Sequence, residues 1–330
     1  LSPHLLALNS NMTARPKRRL AQRLQPGDRI GLIAPSSSIT EERFEKALVN
    51  IRNLGFEPIP SPNAQAQQGY LAGTDEQRLQ DLHQMFADDS IKGIWCIRGG
   101  YGSARLLPQI DYRLIRKNPK IIIGYSDITA LLQGIYLRSG LVGFHGPAAA
   151  SDFPDYTSRH VKALLMEPQS NYLIDMAEEH QQSEALEYQL EVIRSGTATG
   201  RLVGGNLSLI SALAGTPYEW KIKNKIIFLE DIGEKPYRID RMLTQLLQAT
   251  DMRKAAAIIL GIFVDCQPGP RDRSLSLSDA LKDRLANLGI PVIYGMSFGH
   301  IAHQFTLPIG IKAQIDTQSA QLQLLEPAVR

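Results

Sequence analysis

Short apolar runs that stop at glycine or proline alternate, along the first half of the chain, with stretches whose apolar positions recur three and four residues apart. Residues 28–35 (DRIGLIAP) form the first run, bounded by Pro26-Gly27 and Pro35-Ser36, and predict a buried strand ending in a loop. Residues 40–54 then place Phe44, Ala47, Leu48 and Ile51 at helical spacing and close at Gly55. The alternation continues with a helix over 75–86, a strand over 91–97 running into Arg98-Gly99-Gly100-Tyr101-Gly102, and a helix beginning at 103–107. A strand over 120–124 and a helix over 126–138, with Ile128, Leu131, Leu132 and Ile135 on one face, complete it. Strands alternating with helices predict a parallel sheet covered on both faces.

Residues 171–195 are polar, rich in Glu and Gln, and lack a clear period, so a linker is placed there. Beyond it, strands are expected at 199–202, 226–229, 257–262, 292–294 and 313–325, with helices at 207–213 and 237–249. The expected architecture is therefore α/β. A tail (1–25) precedes an N-terminal parallel-sheet domain (26–170), then the linker (171–195) and a smaller, mixed, strand-rich C-terminal domain (196–330). A length of 330 residues fits two domains.

Composition adds limits. Hydrophobic residues make up 43% and charged residues 21%, the balance of a folded globular protein. The formal charge of +3 is too small and too dispersed to imply a nucleic-acid partner. The one basic cluster, residues 15–23 (RPKRRLAQR), reads as a solvated tail. No stretch approaches the ~20 apolar residues that span a bilayer. The opening LSPHLLALNS reads as the trimmed end of a signal's apolar region, which sets a periplasmic location as the expectation; a start at Met12 with a cytoplasmic protein is the alternative. The two cysteines, Cys96 and Cys266, show neither C-x-x-C spacing nor a disulfide framework.

Candidate chemistry begins at KIIIGYSDIT (120–129), an apolar strand, a tight turn and a helix. This is the layout of a nucleophile elbow, which projects a serine oxygen away from the sheet and offers helix N–H groups to negative charge. Asp127 and Ile128 after the serine depart from G-x-S-x-G, and helix capping by Ser126 is the plain structural reading. RGGYG (98–102) also follows a strand, but it matches neither G-x-x-x-x-G-K-[ST] nor G-x-G-x-x-G, so no nucleotide cofactor is implied. Its glycines suit an oxyanion-binding turn instead. A serine nucleophile needs a base, normally histidine, held by a carboxylate. Among seven histidines, His4 lies in the tail, and His83, His160 and His180 lie in polar surroundings that predict solvated surface positions. His145 (GFHGP), His300 and His303 (GHIAH) occupy glycine-bounded loops after apolar strands and remain candidates. Glu230 and Asp231 (IIFLED) are the candidate carboxylates. No H-E-x-x-H or comparable spacing supports a metal site.

The ordered set GLIAPSS, RGGYG, GYSD, GGNL, FLED and GHIAHQFTLPIG, spread from about Arg29 to Leu322, resembles the LD-carboxypeptidases and the related microcin-immunity peptidases. That resemblance implies a serine peptidase without metal or cofactor, releasing the terminal D-alanine of murein tetrapeptides, with Ser126, Glu230 and His300 as its triad. It implies an oxyanion hole from the N–H groups of Gly100 and Asp127, and a homodimer with a murein peptide as its partner. Asn206, Arg238 and Asp240 also match family positions and are assigned to structure around the cleft. Two alternatives accompany the reading, an immunity-type amidase acting on peptidyl-nucleotide toxins and a non-catalytic murein-peptide binding protein.

Overall fold

The computed structural model describes residues 16–330; His4 and the segment that carries the expectation about export lie outside them. The first half runs β1 (Arg29–Ile33), α1 (Glu41–Asn53), β2 (Glu57–Pro60), α2 (Asp75–Ala87), β3 (Ile91–Cys96), α3 (Tyr112–Lys117), β4 (Ile121–Gly124), α4 (Ile128–Ser139), β5 (Phe144–His145) and α5 (Asp155–Met166). The second half runs β6 (Tyr172–Ile174), α6 (Glu178–Gln181), β7 (Glu191–Arg194), β8 (Thr197–Asn206), α7 (Leu207–Ala212), β9 (Lys225–Ile232), α8 (Pro236–Ala249), β10 (Ala257–Val264), α9 (Leu277–Leu285), β11 (Val292–Gly299), β12 (Leu307–Pro308), β13 (Lys312–Asp316) and β14 (Gln321–Leu324).

Local chemistry explains the helix starts. The Thr40 hydroxyl accepts from the Arg43 N–H at the head of α1, with Glu41 and Glu42 in its first turn, and Thr74 with Gln77 forms a reciprocal capping box at α2. The central strands are continuous apolar runs because helices cover both faces of the sheet.

A six-stranded sheet has the order β12-β5-β4-β3-β1-β2, parallel from β5 to β2, and an eight-stranded sheet has the order β6-β14-β13-β8-β9-β10-β11-β7, parallel from β8 to β11. The strand order reverses between β1 and β3, with β4 next to β3, and the carboxyl ends at such a reversal are where open α/β sheets bind ligands.

Several expectations are corrected. The stretch 171–195 supplies β6 and β7, the two edges of the second sheet. Edge strands keep one face in water, so they lack the apolar run that betrays a central strand. The single strand expected over 313–325 is the hairpin β13–β14, bent at a turn containing Ala320 with φ +52°. From residue 16 onward the basic segment is packed rather than free. Ala21 and Leu24 are buried, Arg18 pairs with Glu326, and the Arg23 N–H donates to the Arg330 carbonyl at 3.0 Å. His160 and His180 are buried too, the first bonded to the Tyr172 hydroxyl (2.7 Å), the second to the Ser297 hydroxyl (2.9 Å) and stacked on Tyr188. A hydroxyl partner removes most of the cost of burying an imidazole, and burial lowers the pKa of each to about 4. Cys96 and Cys266 are buried free thiols.

The two sheets are bound tightly to each other. Their buried apolar residues form one continuous cluster, and β12, from the second half, pairs with β5 of the first. Where β8 crosses α4, the Asn206 N–H donates to Thr129 Oγ1 at 2.9 Å. A Cβ on Gly205 would lie 2.4 Å from Thr129 Cγ2, so only glycine permits this approach.

Candidate active site

Ser126 stands between β4 and α4 with φ +62°, a left-handed conformation that is strained for a residue with a side chain. The Thr129 N–H already bonds the Ser126 carbonyl at 2.9 Å, so the helix begins directly beneath it. The neighbouring Asp127 holds this turn in place. Its carboxylate accepts from Ser36 Oγ (2.5 Å) and the Ser103 N–H (2.8 Å), while its carbonyl accepts from Ser103 Oγ (2.5 Å). The elbow is thereby tied to the loops that follow β1 and β3. The β3 loop passes so close that a Cβ on Gly99 would lie 2.9 Å from Ser126 Cβ. Among the described residues, neither the Asp127 N–H nor the Gly100 N–H donates a hydrogen bond.

The second sheet brings Glu230 and His300 to the same place from the ends of β9 and β11. His300 Nδ1 lies 2.7 Å from Glu230 Oε2, and Glu230 is fully buried. Burial by itself pushes the Glu230 carboxyl up and the His300 imidazole down, but their mutual attraction prevails. It holds the carboxyl below its ordinary value and the imidazole above its own. Asp231 has a different task. Its carboxylate accepts from Asn206 Nδ2, from the Ser208 N–H and hydroxyl, and from the Ile232 N–H, at 2.8–3.0 Å. Burial and the neighbouring Glu230 charge raise its pKa to about 6.

Ser126 and His300 line one cleft of about 870 Å³ between the lobes, with Tyr125, Arg98, Gly99 and Gly100 in its wall. The Tyr125 ring lies 4.9 Å from that of His300. His145 is buried behind the cleft among Tyr125, Phe228 and Phe298, its pKa lowered by burial to about 4, and His303 pairs with exposed Glu179 at 3.2 Å. Of the three candidate histidines, only His300 lines the cleft. Arg238 and Asp240 lie on α8 and bond Glu234 and Thr244, with no contact to the Glu230–His300 pair. Asn206 supports the cleft as the sequence led us to expect, whereas the support given by Ser36, Ser103 and Ser208 was not legible in the sequence, although Ser36 stands inside GLIAPSS. Among the described residues no three His, Cys, Asp or Glu groups converge as metal ligands.

Residues 30–146 match the LD-carboxypeptidase N-terminal domain, and residues 199–315 match the LD-carboxypeptidase C-terminal domain. The chain belongs to the LD-carboxypeptidase family. This is a serine peptidase family, and the chain is accordingly an enzyme. Among LD-carboxypeptidase relatives, it is 40% identical to a probable murein peptide carboxypeptidase of Bacillus subtilis, covering 89% of this chain and 90% of that one. It is 36% identical to the murein tetrapeptide carboxypeptidase of Pseudomonas aeruginosa, covering 92% and 98%. The microcin C7 self-immunity protein MccF superposes with a TM-score of 0.85 at 30% identity, covering 94% of this chain and all of that one.

Proposed function

We propose that this LD-carboxypeptidase hydrolyses the L,D bond before the terminal D-alanine of murein tetrapeptides, with Ser126 as nucleophile, His300 as base and Glu230 as the group that orients the base. The observation that carries the reading is the 2.7 Å bond between Glu230 and His300 Nδ1, facing the Ser126 elbow across one cleft. With Nδ1 committed to the carboxylate, Nε2 is the nitrogen left to take the serine proton. Ser126 Oγ attacks the scissile carbonyl, and the free N–H groups of Asp127 and Gly100 stabilise the oxyanion. The proton on His300 passes to the departing D-alanine amine, and water activated by the same histidine then frees the acyl group. Ser126 Oγ donates no hydrogen bond among the described residues, so the Ser126–His300 contact tightens when substrate binds. The same reading includes a homodimer in solution.

Incubation with a murein tetrapeptide, followed by mass spectrometry, tests this. Free D-alanine is the expected product, and its absence overturns the reading. The likeness to MccF supports a second one, cleavage of a peptidyl-nucleotide amide, which the same assay reads with that substrate added.

A further inference from the structure

An enzyme that removes only the last residue of a peptide must distinguish a chain end from a chain middle, and the charge of the terminal carboxylate is the obvious mark. The cleft carries a guanidinium with no assigned task. Arg98 leaves β3 just before Gly99 and Gly100 and lines the cleft beside Ser126. Its Nη1 donates to the Ser38 carbonyl at 3.1 Å, its Nε is buried without a partner, and no carboxylate pairs with it among the described residues. Arg43 lines the same wall near enough for its charge to oppose that of Arg98. Of the two acids in that wall, Asp152 is already paired with Lys46 at 2.5 Å, and Glu42 stands exposed with no salt bridge to either arginine among the described residues. Two like charges sharing a cleft are a cost in the free protein that an anionic ligand removes.

Position fits this task. A Cβ built on Gly100 would lie 3.4 Å from Arg98 Nη2, so the guanidinium rests against the loop whose N–H is assigned to the oxyanion. The terminal carboxylate of an L,D substrate lies one residue beyond the scissile carbonyl, about 3.5 Å further along the chain. We propose that Arg98 is the specificity-determining residue that receives the terminal carboxylate of the substrate, with Arg43 as the outer cation of the same subsite. The planar fork of arginine suits a carboxylate bidentately. This assignment rests on the L,D-carboxypeptidase reading and explains why such an enzyme would trim ends.

The test compares kcat/KM on a murein tetrapeptide ending in the free acid and on the same peptide ending in an amide, for wild type, Arg98→Gln, Arg98→Lys and Arg43→Gln. Wild type should prefer the acid by on the order of 100-fold, the scale of a charge-assisted bidentate contact. Arg98→Gln should bring the acid-to-amide ratio close to one, mainly through KM, and Arg98→Lys should leave an intermediate ratio. Arg43→Gln, at an exposed position, should lower the ratio several-fold. A structural role for Arg98 would depress both substrates together and leave the ratio intact, which overturns the subsite while the carboxypeptidase reading stands. If Arg98→Gln fails to fold, as a melting curve reveals, the ratios of Arg98→Lys and Arg43→Gln decide, and wild-type ratios in both overturn it. A wild-type chain that releases no alanine or alaninamide from either peptide overturns the functional reading and the subsite together.

Discussion

Glu230 and Asp231 are chain neighbours on β9, yet successive side chains of a strand point to opposite faces, so one reaches His300 while the other collects donors from Asn206 and Ser208. The two carboxylates therefore differ in what their loss should do. His300 must be neutral to accept the serine proton, and Glu230 keeps its pKa above the ordinary imidazole value. The acid limb of kcat/KM should accordingly lie above about pH 6.5 in the wild type. Glu230→Gln removes the larger of the two charges that raise His300 and leaves the burial that lowers it. The limb should move to lower pH while kcat falls by about a thousandfold or more. Asp231→Asn should lower the limb only slightly, because the Asp231 charge is the smallest of the effects that raise His300; it should cost less kcat, and lower stability by about 1–3 kcal/mol as N–H donors come to face an amide. A pH–rate profile of both variants checks this, and an unmoved limb in Glu230→Gln refutes the pairing.

At the level of elements, the strand, turn and helix around Ser126 store strain in one residue. The bonds from Asp127 to Ser36 and Ser103 hold the turn where φ is +62°. Ser126→Ala and Ser126→Gly both lack the oxygen and should both lose roughly a thousandfold to a millionfold in kcat. Their stabilities should differ in the reverse of the usual order. Alanine in this conformation pays about 1–2 kcal/mol that glycine does not, whereas in a helix or strand glycine is the weaker of the two. Chemical denaturation of the two variants measures the difference. A Ser126→Gly variant less stable than Ser126→Ala would mean that the turn relaxes and holds no strain.

For the whole molecule, the site exists only where the lobes meet, with Ser126 from one and Glu230 and His300 from the other. Several crossings keep the halves together. Leu307–Pro308 pairs with Phe144–His145, Arg23 and Ala21 bond Arg330, and Asn206 bonds Thr129. A chain cut at a protease site engineered near exposed Gln182 should therefore stay associated and active. Its halves should separate only in denaturant, and each should then be inactive. Size-exclusion chromatography with an activity assay reads the outcome, and loss of activity on nicking alone would show that the connection itself sets the geometry.

The apolar runs of β1, β3, β4, β9 and β10 were legible in the sequence because a strand covered on both faces carries its burial in its own residues. So were the elbow at Ser126 and short lists of histidines and carboxylates, from which the family resemblance selected His300 and Glu230. What the residues by themselves left open was decided in three dimensions. Which histidine faces the cleft depends on how β11 ends beside β9, and which carboxylate meets it depends on the strand face turned toward the first lobe. The edge strands β6 and β7, the packed segment from residue 16 and the buried His160 and His180 were missed for a related reason. Their packing is supplied by partners distant in sequence, among them the Arg330 backbone for the segment around Ala21 and Ser297 for His180. A periodic pattern reports only what a segment contributes to its own burial, and only the tertiary structure decides what the rest of the chain lays over it.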